Sequence, residues 1–268
     1  MHPRLSVSAV CSFRWSLEED LAFWAGAGID RVGLSFRKVE QAGLAAARAR
    51  VGGAGLRVTN LLEFGHFRLS ERGSWAAQQE RLLSAVDFAA AVGAGSLVLT
   101  SGGAGGLEWD EAAAALSEAL APVTRAAAAR GVTLTVENTS PLFLDLSFTT
   151  SLRDAGELAR RLGIAVCVEL NSCFAERGLA ETLAGLADRI AHVQLSDFKV
   201  GSRSAPDRAV PGDGDIPLPR ILAVLARAGY RGPFELELLG PRLEAEGYAS
   251  AIPRAVARAG ELLEAAGL

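Results

Sequence analysis

Short runs of aliphatic and β-branched residues alternate with longer Ala-, Leu- and Arg-rich stretches along the whole chain. The short runs read as strands at 5–11 (LSVSAVC), 31–35 (RVGLS), 57–63 (RVTNLLE) and 96–101 (SLVLTS). Four more follow at 133–138 (TLTVEN), 165–171 (AVCVELN), 190–197 (IAHVQLSD) and 234–240 (FELELLG). The longer stretches carry helical periodicity over 16–27, 74–92, 110–130, 149–162, 217–228 and 246–266. Ser16, Ser74 and either Ser147 or Thr149 stand where a helix N-cap is expected. Gly28, Gly55, Gly95, Gly131, Gly163 and Gly229 stand where a helix would end before the next strand.

Eight β-then-α units with no break in composition predict an α/β protein, a single-domain (β/α)8 TIM barrel spanning residues 1–268. A doubly wound open sheet would carry a glycine-rich phosphate loop after its first strand, and VCSFRWS (10–16) has none. SGGAGG (101–106) follows a strand but lacks a Lys-Ser/Thr ending, so it reads as a flexible βα loop.

Composition narrows the function classes. Of 268 residues, 50% are apolar and 22% charged, enough to bury a large core. The net charge of −4, with no basic run, argues against a nucleic-acid partner. No apolar run reaches the ~20 residues of a membrane helix, and the N-terminal MHPRLSVSAV has no signal-like apolar core. Cys11, Cys167 and Cys173 form no CxxC pair and read as reduced thiols. The expectation is a soluble, cytoplasmic protein with a small-molecule substrate.

In such a barrel the chemistry sits at the C-terminal ends of the strands. There the chain offers Glu137-Asn138, Glu169 with Asn171, His192, Gln194 and Asp197, and Glu235 with Glu237. AHVQLSDF (191–198) shows the pattern most clearly: a hydrophobic strand with His192, Gln194 and Ser196 on one face. Carboxylates converging at one rim would repel each other, and no row of Lys or Arg at strand ends neutralises them. A divalent cation would, and an oxygen-rich donor set favours Mg²⁺ or Mn²⁺ over softer metals. Asp197, of opposite parity, is expected to order the loop that follows. His66 after the third strand and Lys199 after the seventh are further candidate substrate contacts, and Phe13, Trp15, Phe64, Phe67 and Trp109 candidate pocket walls.

The segments LTVENTS, GIAVCVELNSC, RIAHVQLSDF, VPGDGDIP and GYRGPFELELLG resemble the xylose isomerase-like TIM barrels, the sugar phosphate isomerase/epimerase superfamily, over essentially the whole chain. The resemblance implies a metal held by Glu137, Glu169, Gln194 and Glu237, with Mn²⁺ or Mg²⁺ first and Co²⁺ or Zn²⁺ also open. It implies that Glu137 and Glu237 double as acid and base on opposite faces of a keto-sugar or keto-polyol. Glu169 stands where Asp is usual, and Gln194 where the second His of a His-x-His pair is usual. Ser172 stands where many epimerases place a substrate-binding His. Arg208, before the VPG turn, resembles an arginine that contacts substrate. Asn171, Ser172, His192 and Arg208 therefore join His66 and Lys199 as candidate substrate contacts. An isomerase or epimerase is expected first. A dehydratase (lyase) on the same site is the runner-up, and a non-catalytic binding barrel the third reading. The apurinic endonucleases of the superfamily need more histidines than the three present here. Homodimerisation is common on this fold and stays open.

Overall fold

The computed structural model describes residues 1–63 and 67–268. The elements in chain order are β1 (Leu5–Ser8), α1 (Leu17–Ala27), β2 (Arg31–Ser35), α2 (Phe36–Ala42), α3 (Leu44–Gly53), β3 (Arg57–Glu63), α4 (Trp75–Val92), β4 (Ser96–Leu99) and α5 (Trp109–Ala129). They continue as β5 (Thr133–Glu137), α6 (Leu152–Leu162), β6 (Ala165–Glu169), α7 (Leu170–Cys173), α8 (Leu179–Gly185) and β7 (Ile190–Leu195). The last are β8 (Asp197–Phe198), β9 (Arg208–Ala209), α9 (Leu218–Arg227), β10 (Phe234–Leu236), α10 (Pro241–Glu246) and α11 (Tyr248–Ala265). Eight parallel strands close in the order β1-β10-β7-β6-β5-β4-β3-β2, while β8 and β9 form a small antiparallel pair outside the barrel. This is the expected (β/α)8 barrel. Among the described residues, no helix is long and apolar enough to cross a membrane.

Alternation along each strand separates two environments. Val136, Val168, Val193, Leu195 and Leu236 face the helices and belong to the main apolar core. The opposite face points into the barrel, where Val10, Leu62, Val98 and Cys167 form only a small apolar cluster. The rest of the interior is polar. His192 Nε2 lies 3.0 Å from Glu235 Oε2, and Asn60 Nδ2 donates to Glu235 Oε1 at 3.1 Å. The Thr59 hydroxyl in turn donates to Asn60 Oδ1 at 2.7 Å. All of His192, Glu235 and Asn60 are fully buried, so these bonds offset a desolvation cost that would otherwise be severe.

The helical periodicity locates the long helices well and the short ones poorly. Helices α2 and α8 lie outside the segments expected from the sequence, α7 replaces the end of the strand expected over 165–171, and α10 shares only Glu246 with the expected 246–266 segment; α3 ends two residues before Gly55, where a helix end was expected. Ser16 caps α1 with a full capping box. Ser74, by contrast, ends a short 3-10 turn and makes no cap bond, and α6 is capped by Ser151 rather than by Ser147 or Thr149. Gly93, not Gly95, adopts the left-handed conformation that ends α4. Gly95 instead pairs its backbone with Thr59 and Thr133.

SGGAGG is not a free loop. The Gly102 N–H donates to Leu146 O, and Gly102 O accepts from the Phe148 N–H, both at 2.9 Å. Gly102 has φ +83°, and a Cβ there would lie 2.4 Å from Phe67 O. The segment is a seam joining the loops after β3, β4 and β5.

Gly33 meets the interior network still more closely, since a Cβ there would fall 1.7 Å from Glu235 Oε1. Gly33→Ala is expected to destabilise the fold by about 1–3 kcal/mol, the typical cost of overpacking. Urea denaturation checks this; an unchanged midpoint would mean that Glu235 moves aside freely.

Candidate active site

The strand ends deliver one ring of side chains to the mouth of the barrel. Glu137 closes β5, Glu169 closes β6, Gln194 is the penultimate residue of β7, and Glu237 directly follows β10. Their parity points them inward. Glu169 and Gln194 are fully buried, and Glu137 and Glu237 keep only 4% and 2% exposure. Asn138 locks β5 to β6 by a two-way bond with the Glu169 backbone, 3.0 Å in each direction.

One cation sits among them. Arg208 Nη2 lies 2.5 Å from Glu169 Oε2, and Arg208 Nη1 lies 2.8 Å from Glu237 Oε1 while donating to Glu237 O at 3.0 Å. The loop that presents Arg208 is organised by Asp197. Its carboxylate accepts from the N–H groups of Phe198, Gly212, Gly214 and Ile216 at 2.8–3.0 Å. Asp197 thus orders the loop, as its parity suggested.

Burial dominates the electrostatics. It pushes Glu137 well above the ordinary carboxylate range, reinforced by the charges of Glu237 and Glu169. Burial also raises Glu169, to about 7, against the pull of Arg208. Glu237 is raised by burial too, again opposed by Arg208. Burial works against the charge of Arg208, yet Glu169, Glu237 and Glu137 together hold its pKa above the usual value. Three carboxylates face one guanidinium, so the fully ionised cluster is short of positive charge.

The donor set fits a hard divalent cation. Oε2 of Glu137 and Glu237, and both carboxamide atoms of Gln194, are buried without a hydrogen-bond partner, and Oε2 of Glu169 meets only the Arg208 guanidinium. Among the described residues, no three His, Cys, Asp or Glu side chains are grouped so as to hold a metal ion. Gln194 Oε1 adds a carboxamide oxygen to the carboxylate donors. Two carboxylates, a carboxamide and water are ordinary company for Mg²⁺ or Mn²⁺.

A cavity of about 880 Å³ opens over this ring. Glu137, Glu237, Arg208 and Ser172 line it, along with Phe13 and Trp15 from the loop after β1. The other expected contacts are placed elsewhere. His192 lies one pleat deeper, bonded to Glu235. Asn171 donates its side-chain N–H to Asp197 O, at 3.3 Å. Lys199 pairs with Asp215 on the surface. His66 and Phe64 lie outside the described residues. Phe67 and Trp109 pack edge-on against Trp75 and Phe148 instead of walling the cavity. Sequence reasoning missed Lys38 and Arg81, which line the far wall, and Phe143 and Leu146 from the loop after β5. It also passed over Glu63, a carboxylate at the end of β3 that meets Arg81; its position at a strand end was the available signal.

With this geometry in view, sequence comparison places the chain. A model of the xylose isomerase-like TIM barrel family matches residues 21–260. The chain belongs to that family. No curated protein matches it significantly. Among solved structures it is similar to a protein of Sinorhizobium meliloti 1021, with 26% identity, TM-score 0.84 and 98% of each chain covered. It is also similar to a zinc-bound IolI protein, with 16% identity, TM-score 0.81 and coverage of 97% of this chain and 98% of that one. A third is the 3-keto-D-glucoside 4-epimerase of E. coli, at 17% identity and TM-score 0.73, covering 95% of this chain and 97% of that one.

The loop carrying Phe13 and Trp15 is held from below by a buried ion pair. Lys38 Nζ contacts Asp20 Oδ2 at 2.7 Å and donates to Ala9 O and Ser12 O. Burial pushes the Asp20 carboxyl up to about 6, against the pull of Lys38. A raised carboxyl contributes stability that is fully present below its unfolded pKa and lost as pH rises through the folded value. The stability gap between the wild type and Asp20→Asn should therefore shrink between about pH 4 and pH 6. Urea midpoints across that range test this; a flat or widening gap would refute it.

Proposed function

We propose that the protein is a divalent-metal-dependent isomerase or epimerase that acts on a keto-sugar or keto-polyol by moving a proton at the carbon beside the carbonyl. The observation that carries this reading is the pair Glu137 and Glu237. They reach one cavity from the ends of β5 and β10. A carboxylate aimed at an acidified C–H can take its proton near neutrality. In this reading one glutamate takes the proton and the other returns it from the opposite face of the substrate. Arg208 donates to a substrate oxygen and stabilises the charge left by deprotonation. The wall of Phe13, Trp15 and Phe143 excludes water.

Glu137, Glu169, Gln194 and Glu237 would hold the cation, which when bound supplies a Lewis acid that polarises the carbonyl. The zinc in the IolI structure and the keto-sugar substrate of the E. coli epimerase support the reading. A dehydratase is the second reading. It is favoured by Ser172, a small hydroxyl on the cavity wall where the resemblance leads one to expect histidine. Loss of a β-hydroxyl after the same deprotonation would give it.

Incubating the Mn²⁺-loaded protein with a panel of keto-sugars and cyclic keto-polyols in D₂O separates the outcomes. Deuterium uptake without mass loss is expected of an isomerase or epimerase; loss of water would make it a dehydratase. Glu237→Gln should lower turnover by about 10²–10⁴-fold, the usual contribution of a general acid or base. Undiminished turnover in that variant would contradict the assigned role.

A further inference from the structure

We infer that the half of the cavity away from the glutamate ring is a subsite for an aromatic substituent, so that the substrate is a keto-sugar carrying an aryl group rather than a free keto-sugar. For the reactive end of the ligand this rests on the keto-sugar reading above; it adds what the other end must be.

The barrel mouth divides in two. Strands β5, β6, β7 and β10 are consecutive in the closed sheet and deliver Glu137, Glu169, Gln194 and Glu237. The other four strands, β1 to β4, present a different face. Val10, just after β1, and Leu62 of β3 belong to the apolar cluster inside the barrel, and Leu239 packs on it; all three line the cavity. Aromatic rings stand with them: Phe13 and Trp15 on the loop after β1, and Phe143 on the loop after β5. Strands β1 and β5 are four places apart among the eight, so these rings come from opposite sides of the mouth. Trp15 is held edge-on by Phe23 and Tyr248, at ring separations of 5.2 and 5.3 Å. Phe13 keeps 45% of its surface exposed, an apolar face open to a ligand.

The charged groups on this half are engaged with each other. Lys38 spends its three donors on Ala9 O, Ser12 O and Asp20. Arg81 meets Glu40 and Glu63, Arg14 meets Glu244, and Glu19 caps its own helix through Ser16. Arg37 and Gln41 stand exposed at the rim. Inside the rim, the hydroxyls of Ser35 and Thr100 remain, and that of Thr100 is buried without a partner. A free keto-sugar extending here would strip water from its hydroxyls and find few replacements, at a cost for each. An aromatic ring would instead remove apolar surface from water and meet other rings. Size agrees. The cavity of about 880 Å³ lies near the top of the ~300–1,000 Å³ range that encloses drug-sized ligands, and one sugar ring fills only part of it.

Binding of paired methyl and phenyl β-pyranosides of glucose, galactose and mannose to the full chain tests this, by calorimetry and ligand-detected NMR. These probes lack the ketone, so the measurement reads binding alone and needs no turnover. The phenyl member of at least one pair should bind at least about tenfold tighter than its methyl partner, from the apolar area the ring removes from water. It should also bind tighter than cellobiose, which offers a second sugar in place of the aryl group. Phe13→Ala and Phe143→Ala should each cut the phenyl-to-methyl ratio by about threefold or more and leave methyl affinity unchanged. Equal affinity within every pair, no binding of any phenyl member, or cellobiose binding as tightly as the phenyl glycosides would overturn the inference. So would alanine variants that keep the wild-type ratio. None of these results touches the deuterium-exchange test above. A phenyl preference without exchange on any keto-sugar would keep the subsite and sink the isomerase reading.

Discussion

The guanidinium of Arg208, buried between the carboxylates of Glu169 and Glu237, is the contact on which the barrel mouth depends. Each of these carboxylates alone would be costly to bury, and removing one partner from such a cluster typically costs several kcal/mol. The guanidinium sits on a loop whose path is fixed by four backbone amides gathered on Asp197. The chain thus spends one carboxylate, Asp197, on placing the arginine that makes two others tolerable. Glu137 has no ion pair of its own among the described residues, and its pKa is accordingly pushed well above the ordinary range. That residual imbalance is what the proposed cation would offset.

The layer beneath supports this one. Glu235, one pleat below Glu237, is occupied by His192 and Asn60, and glycine at position 33 leaves room for its carboxylate. His192 is thus engaged by Glu235, below the ring of the mouth. A register irregularity lies beside it in the β6–β7 pairing, between Val166 and Cys167. Such irregularities re-aim side chains near functional sites. The cavity above inherits its shape from loops that are themselves tied down: the Lys38–Asp20 pair under Phe13 and Trp15, and the Gly102 seam under Leu146.

Much of this was legible in the sequence. Strand periodicity and glycine-terminated helices gave the barrel, because a period of two and a period of 3.6 are fixed by local geometry. The same parity placed Glu137, Glu169, Gln194 and Glu237 on the inner face and set Asp197 apart. What escaped was long-range. Nothing near position 208 in the sequence says that its guanidinium will bridge β6 and the end of β10. Lys38 and Arg81 approach the cavity from helices, where basic residues ordinarily read as solvated surface. Asn171 and Lys199 read as substrate contacts by proximity to strand ends, yet bond instead to Asp197 and Asp215. Short helices such as α2 and α8 were missed because seven residues hold too few turns for periodicity to register.

The proposal at the centre of the account is that this cluster holds a divalent cation among Glu137, Glu169, Gln194 and Glu237. Anomalous diffraction from crystals grown with Mn²⁺ tests it most directly. The account predicts one anomalous peak at the barrel mouth, about 2.0–2.2 Å from oxygens of those side chains. No peak at the mouth, or a peak bonded to none of these four, would contradict it.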